Sequence, residues 1–147
     1  MIVRFSVLGE PQGKGRPRFA KVGGFVKTYT PDQTVVYENL VRTEFRRQCG
    51  NATRFDDNDR LDMRIMAYYS IPKSASKKKV AQMISKDLRP AKKPDMDNIV
   101  KVVADSLNGV AYKDDAQVVD TMVRKFYSDV PRIEVSIRTA ETHKEEM

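Results

Sequence analysis

The chain has 147 residues, 40% of them apolar and 32% charged, and its formal net charge is +7. This length suits one domain with a buried core, and the composition excludes collagenous and low-complexity proteins. No apolar run approaches the ~18 residues of a membrane-spanning helix, and the first residues lack the apolar segment of a signal peptide. The sequence therefore predicts one cytoplasmic domain over residues 1–147 that has no membrane partner, with a polar tail over about residues 139–147.

The N-terminal part of the chain predicts a strand, a basic loop and a hairpin. Val3, Phe5 and Val7 alternate with polar residues, which indicates a strand with one buried face. The loop GEPQGKGRPRF follows, and a hairpin turn is predicted at Gly23 and Gly24. The basic residues of this loop are Lys14, Arg16 and Arg18.

A long helix is predicted after the hairpin. Thr30 is its expected N-cap, Pro31 its first residue and Gln33 the partner of Thr30 in a capping box. The helix should end near Cys49 and Gly50. Its apolar stripe at helical spacing consists of Val36, Tyr37, Leu40, Val41 and Phe45.

The middle of the chain predicts a strand followed by a basic helix. Apolar residues alternate at every second position from Leu61 to Tyr69, which indicates the strand. The helix is predicted from about Ser76 to Leu88, and its inward-facing residues are Val80, Met83 and Ile84.

Positive charge is concentrated between residues 73 and 93, which contain eight basic residues and one acidic residue. This segment accounts for the whole net charge, because the remaining 19 basic and 19 acidic residues cancel. Such a concentration is typical of a surface that binds the phosphate backbone of nucleic acid, although a solvated helix face has the same composition. The basic residues are Lys73, Lys77, Lys78, Lys79, Lys86, Arg89, Lys92 and Lys93.

Aspartates surround the next predicted helix. Asp97, Lys101 and Asp105 fall at i, i+4 and i+8 on its polar face, and Asp95 lies just before the helix. After the helix, the pair at 114–115 precedes a β-rich run, and the returning chain could bring one member beside the first two aspartates. The buried face of the helix consists of Ile99, Val102, Val103 and Leu107.

Two further strands are predicted over residues 118–127 and 132–137, as antiparallel neighbours across the turn at 128–131. Taken together, the elements predict an α+β fold in which helices pack on one mixed β-sheet.

Any metal bound to this chain must have oxygen ligands. Cys49 is the only cysteine and His143, in the polar tail, is the only histidine, so neither a disulfide nor a zinc site can form. Carboxylate oxygens predict Mg²⁺ or Mn²⁺.

Each acidic feature also has an ordinary structural explanation. Asp97 could cap the helix, which is worth about 1 kcal/mol, and its ladder with Lys101 and Asp105 could be surface ion pairs of about 0.3–0.5 kcal/mol each. The pair at 114–115 could be a plain turn. Their combination beside a basic segment favours a divalent ion at a phosphate, because Mg²⁺ typically takes one or two carboxylates and completes its shell with water and phosphate oxygen.

Five short motifs together resemble the RusA family of Holliday junction resolvases, and they span nearly the whole chain. They are Gly9-x-Pro11-x-x-Lys14-x-Arg16-Pro17-Arg18, Tyr29-Thr30-Pro31, Lys93-Pro94-Asp95-x-Asp97-Asn98-x-x-Lys101, Asp105-x-Leu107-Asn108-Gly109 and Asp114-Asp115-x-Gln117-Val118. The resemblance implies a RusA-like fold and a Mg²⁺-dependent endonuclease, with Mn²⁺ as a possible substitute, that acts as a homodimer on branched DNA, especially four-way junctions, in recombination and repair.

The resemblance also implies roles for individual residues. Asp95 and Asp97 match the first two catalytic, metal-binding aspartates of the family, and Lys101 matches its lysine. Asp115 best matches the third aspartate, with Asp114 as the alternative ligand. The basic loop and the basic segment would hold the DNA arms through phosphates, with the protein nucleoid-associated when bound. The expected DNA contacts are Lys14, Arg16, Arg18, Lys73, Lys77, Lys78, Lys79, Lys92 and Lys93.

Two other functions stay open on the sequence alone. A less selective Mg²⁺-dependent nuclease would also cleave flaps or forks, and a non-catalytic protein would bind junctions without forming a metal-dependent product. The intact set of aspartates favours an enzyme over the binding protein.

Overall fold

Six strands and three α-helices make up the part of the chain that the computed structural model describes, residues 1–142. They are β1 (Ile2–Leu8), β2 (Arg18–Val22), β3 (Phe25–Tyr29), α1 (Asp32–Cys49), β4 (Leu61–Ser70), α2 (Lys77–Ile84), α3 (Met96–Ser106), β5 (Val118–Ser128) and β6 (Arg132–Thr139). A 3-10 turn, Asp115–Gln117, precedes β5. None of these helices is long and apolar enough to cross a membrane. The end of the predicted tail, including His143, lies outside the described residues.

Four strands form a mixed sheet in the order β1–β6–β4–β5. Strand β6 is antiparallel to both β1 and β4, whereas β4 and β5 are parallel. A parallel pair needs a crossover connection, and the chain between β4 and β5 supplies it with α2 and α3. The predicted α+β fold with helices on a mixed sheet is therefore confirmed.

The predicted pairing of the last two strands is wrong. β5 and β6 run in opposite directions, but β4 lies between them, so that Ile65 pairs with Val123 on one side and Val135 on the other. Alternation of apolar residues reports which face of a strand is buried and carries no information about its neighbours. The fully buried apolar positions of β4 suit this central place in the sheet.

The core lies between one face of the sheet and the helices α1 and α3. Phe5 of β1 meets Phe45 of α1 edge-to-face, with ring centroids 5.5 Å apart. The other large, fully buried side chains include Leu61, Met63, Ile65 and Tyr69 of β4 and Ile99 of α3. Helix α3 is thereby held rigidly, with its polar face outward.

The start of α1 differs from the prediction. The helix begins at Asp32, and Pro31 occupies the N-cap position without a side-chain capping bond, so the capping box of Thr30 and Gln33 is not formed. Instead, the hydroxyl of Thr34 accepts a hydrogen bond of 3.0 Å from the backbone of the N-terminal basic loop. The helix start is therefore tied to a distant part of the chain, which local sequence does not reveal.

Only part of the predicted apolar stripe of α1 is buried. Tyr37, Val41 and Phe45, spaced by four residues, pack into the core as predicted. Val36 and Leu40 remain 68% and 38% exposed. The helix therefore presents a second apolar strip to solvent.

Helix α2 is shorter than predicted. Ser76 caps it by accepting a hydrogen bond from the backbone of Lys79, but the helix ends at Ile84 rather than at residue 88. Lys86 has a φ of 71°, a left-handed conformation that a helix cannot continue through. Met83 is buried as predicted, whereas the inward orientation expected of Ile84 is wrong, because this side chain is 65% exposed.

The predicted hairpin is confirmed as β2–β3, in which Val22 pairs with Phe25. Gly23 and Gly24 have φ values of 56° and 84°, as a two-residue type I′ turn requires. The hairpin is a sheet of its own, and its apolar side chains stay at the surface: Phe25 is 75% exposed.

Candidate active site

The aspartates predicted to be catalytic lie at the start of α3. Asp95 occupies the N-cap position, yet its carboxylate makes no capping hydrogen bond. Asp97 lies in the first turn rather than at the cap, and both residues are exposed. The positive end of the helix dipole stabilises negative charge here. The capping explanation therefore does not account for Asp97, and neither carboxylate is occupied in capping the helix.

The other end of α3 gathers two ammonium groups around Asp105. Lys101 Nζ lies 3.6 Å and Lys14 Nζ 3.3 Å from Asp105 Oδ2, and Lys14 also lies 3.1 Å from Glu38 of α1. The side chain of Lys101 is 61% exposed, compared with 19% for Lys14. Lys14 therefore joins its loop to both helices, while Lys101 can reach a ligand in solvent.

The loop around Lys14 packs directly on the start of α3. The Lys14 N–H donates to the Asn98 carbonyl at 3.0 Å, and a Cβ on Gly13 would lie only 2.9 Å from the Cβ atoms of Pro94 and Asn98. Burial opposes the charge of Lys14, but its bonds to two carboxylates outweigh burial and raise the pKa of the ammonium. The expected phosphate contact of this lysine thus competes with existing ion pairs, whereas Arg16 is exposed.

The two aspartates after α3 have different environments. Asp114 caps the 3-10 turn, and its carboxylate accepts a hydrogen bond of 3.0 Å from Ala116 N, which lowers the pKa of Asp114. Burial, together with the carboxyl groups of Asp114 and Asp105, raises the pKa of Asp115. The Asn108 side chain holds the backbone here by accepting from Asp115 N at 2.7 Å. The crowding of like charge around Asp115 suits a cation, because a cation between carboxylates relieves their repulsion.

The predicted site residues are not gathered into one group within the chain. Asp115 lies beside Asp105, which is eight residues along α3 from Asp97, or about 12 Å at ~1.5 Å per residue. Among residues 1–142, no three acidic, histidine or cysteine side chains are close enough to hold a metal ion. The loop returns at the C-terminal end of the helix, so the expected convergence with Asp95 is not found. The chemistry of the donors, carboxylate oxygens beside exposed lysines, still fits Mg²⁺.

Two side chains beside Asp95 were missed by the sequence reasoning. Tyr69 Oη donates to the Pro94 carbonyl at 2.6 Å, and Lys125 Nζ donates to the Lys92 carbonyl at 2.5 Å. Burial lowers the pKa of Lys125, and the nearby carboxylate of Asp95 opposes that effect. The sequence does contain a sign of the unusual place of Lys125. Side chains alternate between the two faces of β5, and Lys125 stands at a position where an inward-facing apolar residue is expected.

The basic residues of the segment between residues 73 and 93 are exposed to solvent. All eight of its basic residues are exposed, and none pairs with a carboxylate in the described part of the chain. Lys86 and Arg89 lie 4.7 and 4.6 Å from the centre of the Phe126 ring. The predicted contacts Lys73, Lys77, Lys78, Lys79, Lys92 and Lys93 all face solvent. Along the chain, these residues extend from just before α2 to Lys92 and Lys93, which are separated from Asp95 by Pro94.

Comparison with known proteins gives two matches. Residues 9–138 match the family model described as Endodeoxyribonuclease RusA. The chain is also similar to the Bacillus subtilis (strain 168) protein named "Uncharacterized protein YqaN", at 41% identity over 141 residues, covering 92% of this chain and 95% of that protein. The family match includes both ends of α3 and the whole basic segment.

Proposed function

We propose that this chain, which belongs to the RusA family of endodeoxyribonucleases, is a Mg²⁺-dependent enzyme. It would resolve four-way DNA junctions by paired nicks in recombination and repair. Membership of the family implies Holliday junction resolvase activity. The observation that carries the proposal is the exposed pair Asp95 and Asp97, which is not used for capping and follows the basic segment.

Asp95 and Asp97 are proposed as metal ligands and catalytic residues, and Asp115, at the C-terminal end of α3, is proposed as the counterpart of the family's third aspartate. Asp115 is preferred over Asp114, because the carboxylate of Asp114 already serves as a cap. The bound ion, Mg²⁺ or alternatively Mn²⁺, would supply a Lewis acid for the phosphoryl group and its leaving oxygen. Asp95 and Asp97 would fix its position at the N-terminus of α3.

Lys101 is proposed to neutralise charge on the phosphoryl oxygens during hydrolysis. Its ammonium is exposed and lies at 3.6 Å from Asp105, a pair of about 0.3–0.5 kcal/mol that a phosphate can displace. When Lys101 binds the phosphate, the ion pair between Lys14 and Asp105 would remain, so the Asp105 carboxylate would keep a counter-charge.

The proposed partners are branched DNA and a second copy of the chain. Arg16, Arg18 and the basic segment would contact phosphates of the junction arms, and the protein would lie in the cytoplasm, with the nucleoid when bound to DNA. A four-way junction is nearly two-fold symmetric, so a two-fold symmetric homodimer would place equivalent sites on opposed strands.

The test is cleavage of a synthetic four-way junction, a flap and a linear duplex, with and without Mg²⁺, with products separated on a denaturing gel. We expect symmetric nicks in the junction only with Mg²⁺. Equal rates on the flap would instead indicate a less selective nuclease, and tight binding without product would indicate a junction-binding protein.

Asp97→Asn provides the matched catalytic control. Asp97 is not the N-cap, so the variant should fold normally, and loss of a negative charge should not weaken binding to DNA. A neutral amide is a poorer ligand for a hard ion, and cleavage should fall at least ~100-fold, equivalent to ~2.7 kcal/mol. Cleavage close to wild type at saturating Mg²⁺ would exclude Asp97 from the site.

A further inference from the structure

The backbone that leads into Asp95 is irregular and is held by side chains of the sheet. Residues 91–94 belong to neither helix nor strand. Two carbonyls of this segment accept hydrogen bonds, that of Pro94 from Tyr69 Oη at 2.6 Å and that of Lys92 from Lys125 Nζ at 2.5 Å. Each bond joins the segment to a different strand.

The two donors form one rigid pair. Tyr69 of β4 pairs with Tyr127 of β5, and Lys125 lies two residues before that partner, so it is the diagonal neighbour of Tyr69. The Lys125 ammonium lies 5.1 Å from the centre of the Tyr69 ring. Tyr69 is 1% exposed, and Arg89 Nε adds a bond of 3.0 Å to the Lys125 carbonyl. The central strand β4 and the edge strand β5 therefore position this segment.

We infer that Tyr69 and Lys125 are positioning residues that fix the direction of the Asp95 carboxylate. The inference rests on the proposed function, in which Asp95 holds Mg²⁺. The Asp95 carboxylate makes no capping bond of its own, so its direction depends on the backbone that enters the helix. Groups that orient metal ligands in this way typically change metal affinity or activity 10–100-fold when they are removed.

The chain offers a matched pair of substitutions. Tyr69→Phe removes only the hydroxyl that bonds to Pro94, whereas Tyr68→Phe removes a hydroxyl from the opposite face of the same strand, near Glu134. Each variant loses one tyrosine hydroxyl and keeps the ring, so both should remain folded at the temperature of the titration. Only Tyr69→Phe should weaken Mg²⁺ binding, measured by calorimetric titration of the full-length protein without DNA, by about tenfold.

Lys125 gives an independent second test. Lys125→Met should also weaken Mg²⁺ binding about tenfold, and Lys125→Arg should restore most of it, because Arg keeps both the charge and the donor. In cleavage assays, both Tyr69→Phe and Lys125→Met should raise the Mg²⁺ concentration for half-maximal rate. The apparent affinity of Tyr69→Phe, which changes no charge, for a four-way junction without metal should stay unchanged.

The outcomes separate the inference from the proposed function. If wild type binds Mg²⁺ and Asp95→Asn abolishes binding, but Tyr69→Phe and Lys125→Met bind like Tyr68→Phe, the positioning role is overturned alone. If wild type neither binds Mg²⁺ nor cleaves junctions in its presence, the proposed function is overturned and the positioning role with it.

Discussion

At the scale of single residues, Lys14 behaves differently from the arginines two and four residues further on. Its ammonium lies between Glu38 and Asp105, and Glu38 is 9% exposed. A carboxylate buried to this degree is costly unless it is paired. Arg16 and Arg18 are exposed on the same loop. We therefore assign Lys14 a mainly structural role, unlike its expected role as a DNA contact.

Lys14→Met should destabilise the protein, because it leaves Glu38 without this counter-charge while keeping most of the side-chain volume. We expect the free energy of unfolding, measured by urea denaturation, to fall by about 1–3 kcal/mol. Arg16→Met is the control: its unfolding free energy should change by less than about 0.5 kcal/mol, while its affinity for junctions falls. Equal stability of the two variants would contradict the structural role of Lys14.

The pH dependence of that stability difference has a definite sign. Folding raises the pKa of Lys14 above its ordinary value of 10.5. A group whose pKa is raised on folding contributes fully below its unfolded pKa and loses the contribution as pH rises through the folded pKa. The gap between wild type and Lys14→Met should therefore be constant near neutral pH and shrink only above about pH 10.5.

Residue types and spacing predict the candidate aspartates but not the environment of each one. Asp114 and Asp115 are adjacent and chemically identical in sequence, and only the 3-10 turn shows that the first is a cap. The pairing of Lys14 with Asp105 spans 91 positions of the chain and depends on the packing of α3, so no local pattern could reveal it. The family resemblance assigned roles to these residues but did not reveal their environments.

At the scale of elements, the three consecutive lysines of α2 lie at the N-terminus of the helix, where positive charge is destabilising. Lys77, Lys78 and Lys79 form its first turn, which contains no acidic residue. Cations there oppose the helix dipole, typically by 0.3–1 kcal/mol each. An arrangement that costs stability and leaves every ammonium exposed indicates a function for the charge.

Replacing these three lysines with Ala should weaken junction binding and flatten its salt dependence. Each lost phosphate contact lowers the slope of log affinity against log salt concentration by up to ~0.9. The variant should be at least as stable as wild type, because repulsion with the dipole is removed. Arg46→Ala, an exposed change on α1, is the control, and an unchanged slope in the triple variant would show that α2 is merely solvated.

The elements themselves were mostly predictable, since strand alternation, the Gly23–Gly24 turn and the apolar face of α3 are local signals. Sheet order was not, because the insertion of β4 between β5 and β6 depends on contacts far apart in sequence. The left-handed Lys86 that ends α2 early was also invisible, since lysine is an ordinary helix former.

At the scale of the whole molecule, several large apolar side chains remain exposed to solvent in the single chain. Val22 and Phe25, on the same face of the hairpin, are 52% and 75% exposed, and Val36 of α1 is 68% exposed. Surfaces of this kind mark contacts with other molecules. We propose that they lie in the interface of the homodimer, because a second copy would cover both the hairpin and the exposed strip of α1.

Replacing Val22 and Phe25 with Ser should therefore convert a dimer into a monomer. Both side chains are exposed in the single chain, so the double variant should keep its fold by circular dichroism. Light scattering should give a mass near the 16.8 kDa of one chain, compared with twice that value for wild type at the same concentration. Val119→Ser, at a 55% exposed position of β5, should remain dimeric.

Because one monomer carries one set of aspartates, the double variant should lose paired nicking more strongly than single nicking. A double variant that stays dimeric would place the interface elsewhere, and a monomeric wild type would contradict the homodimer itself.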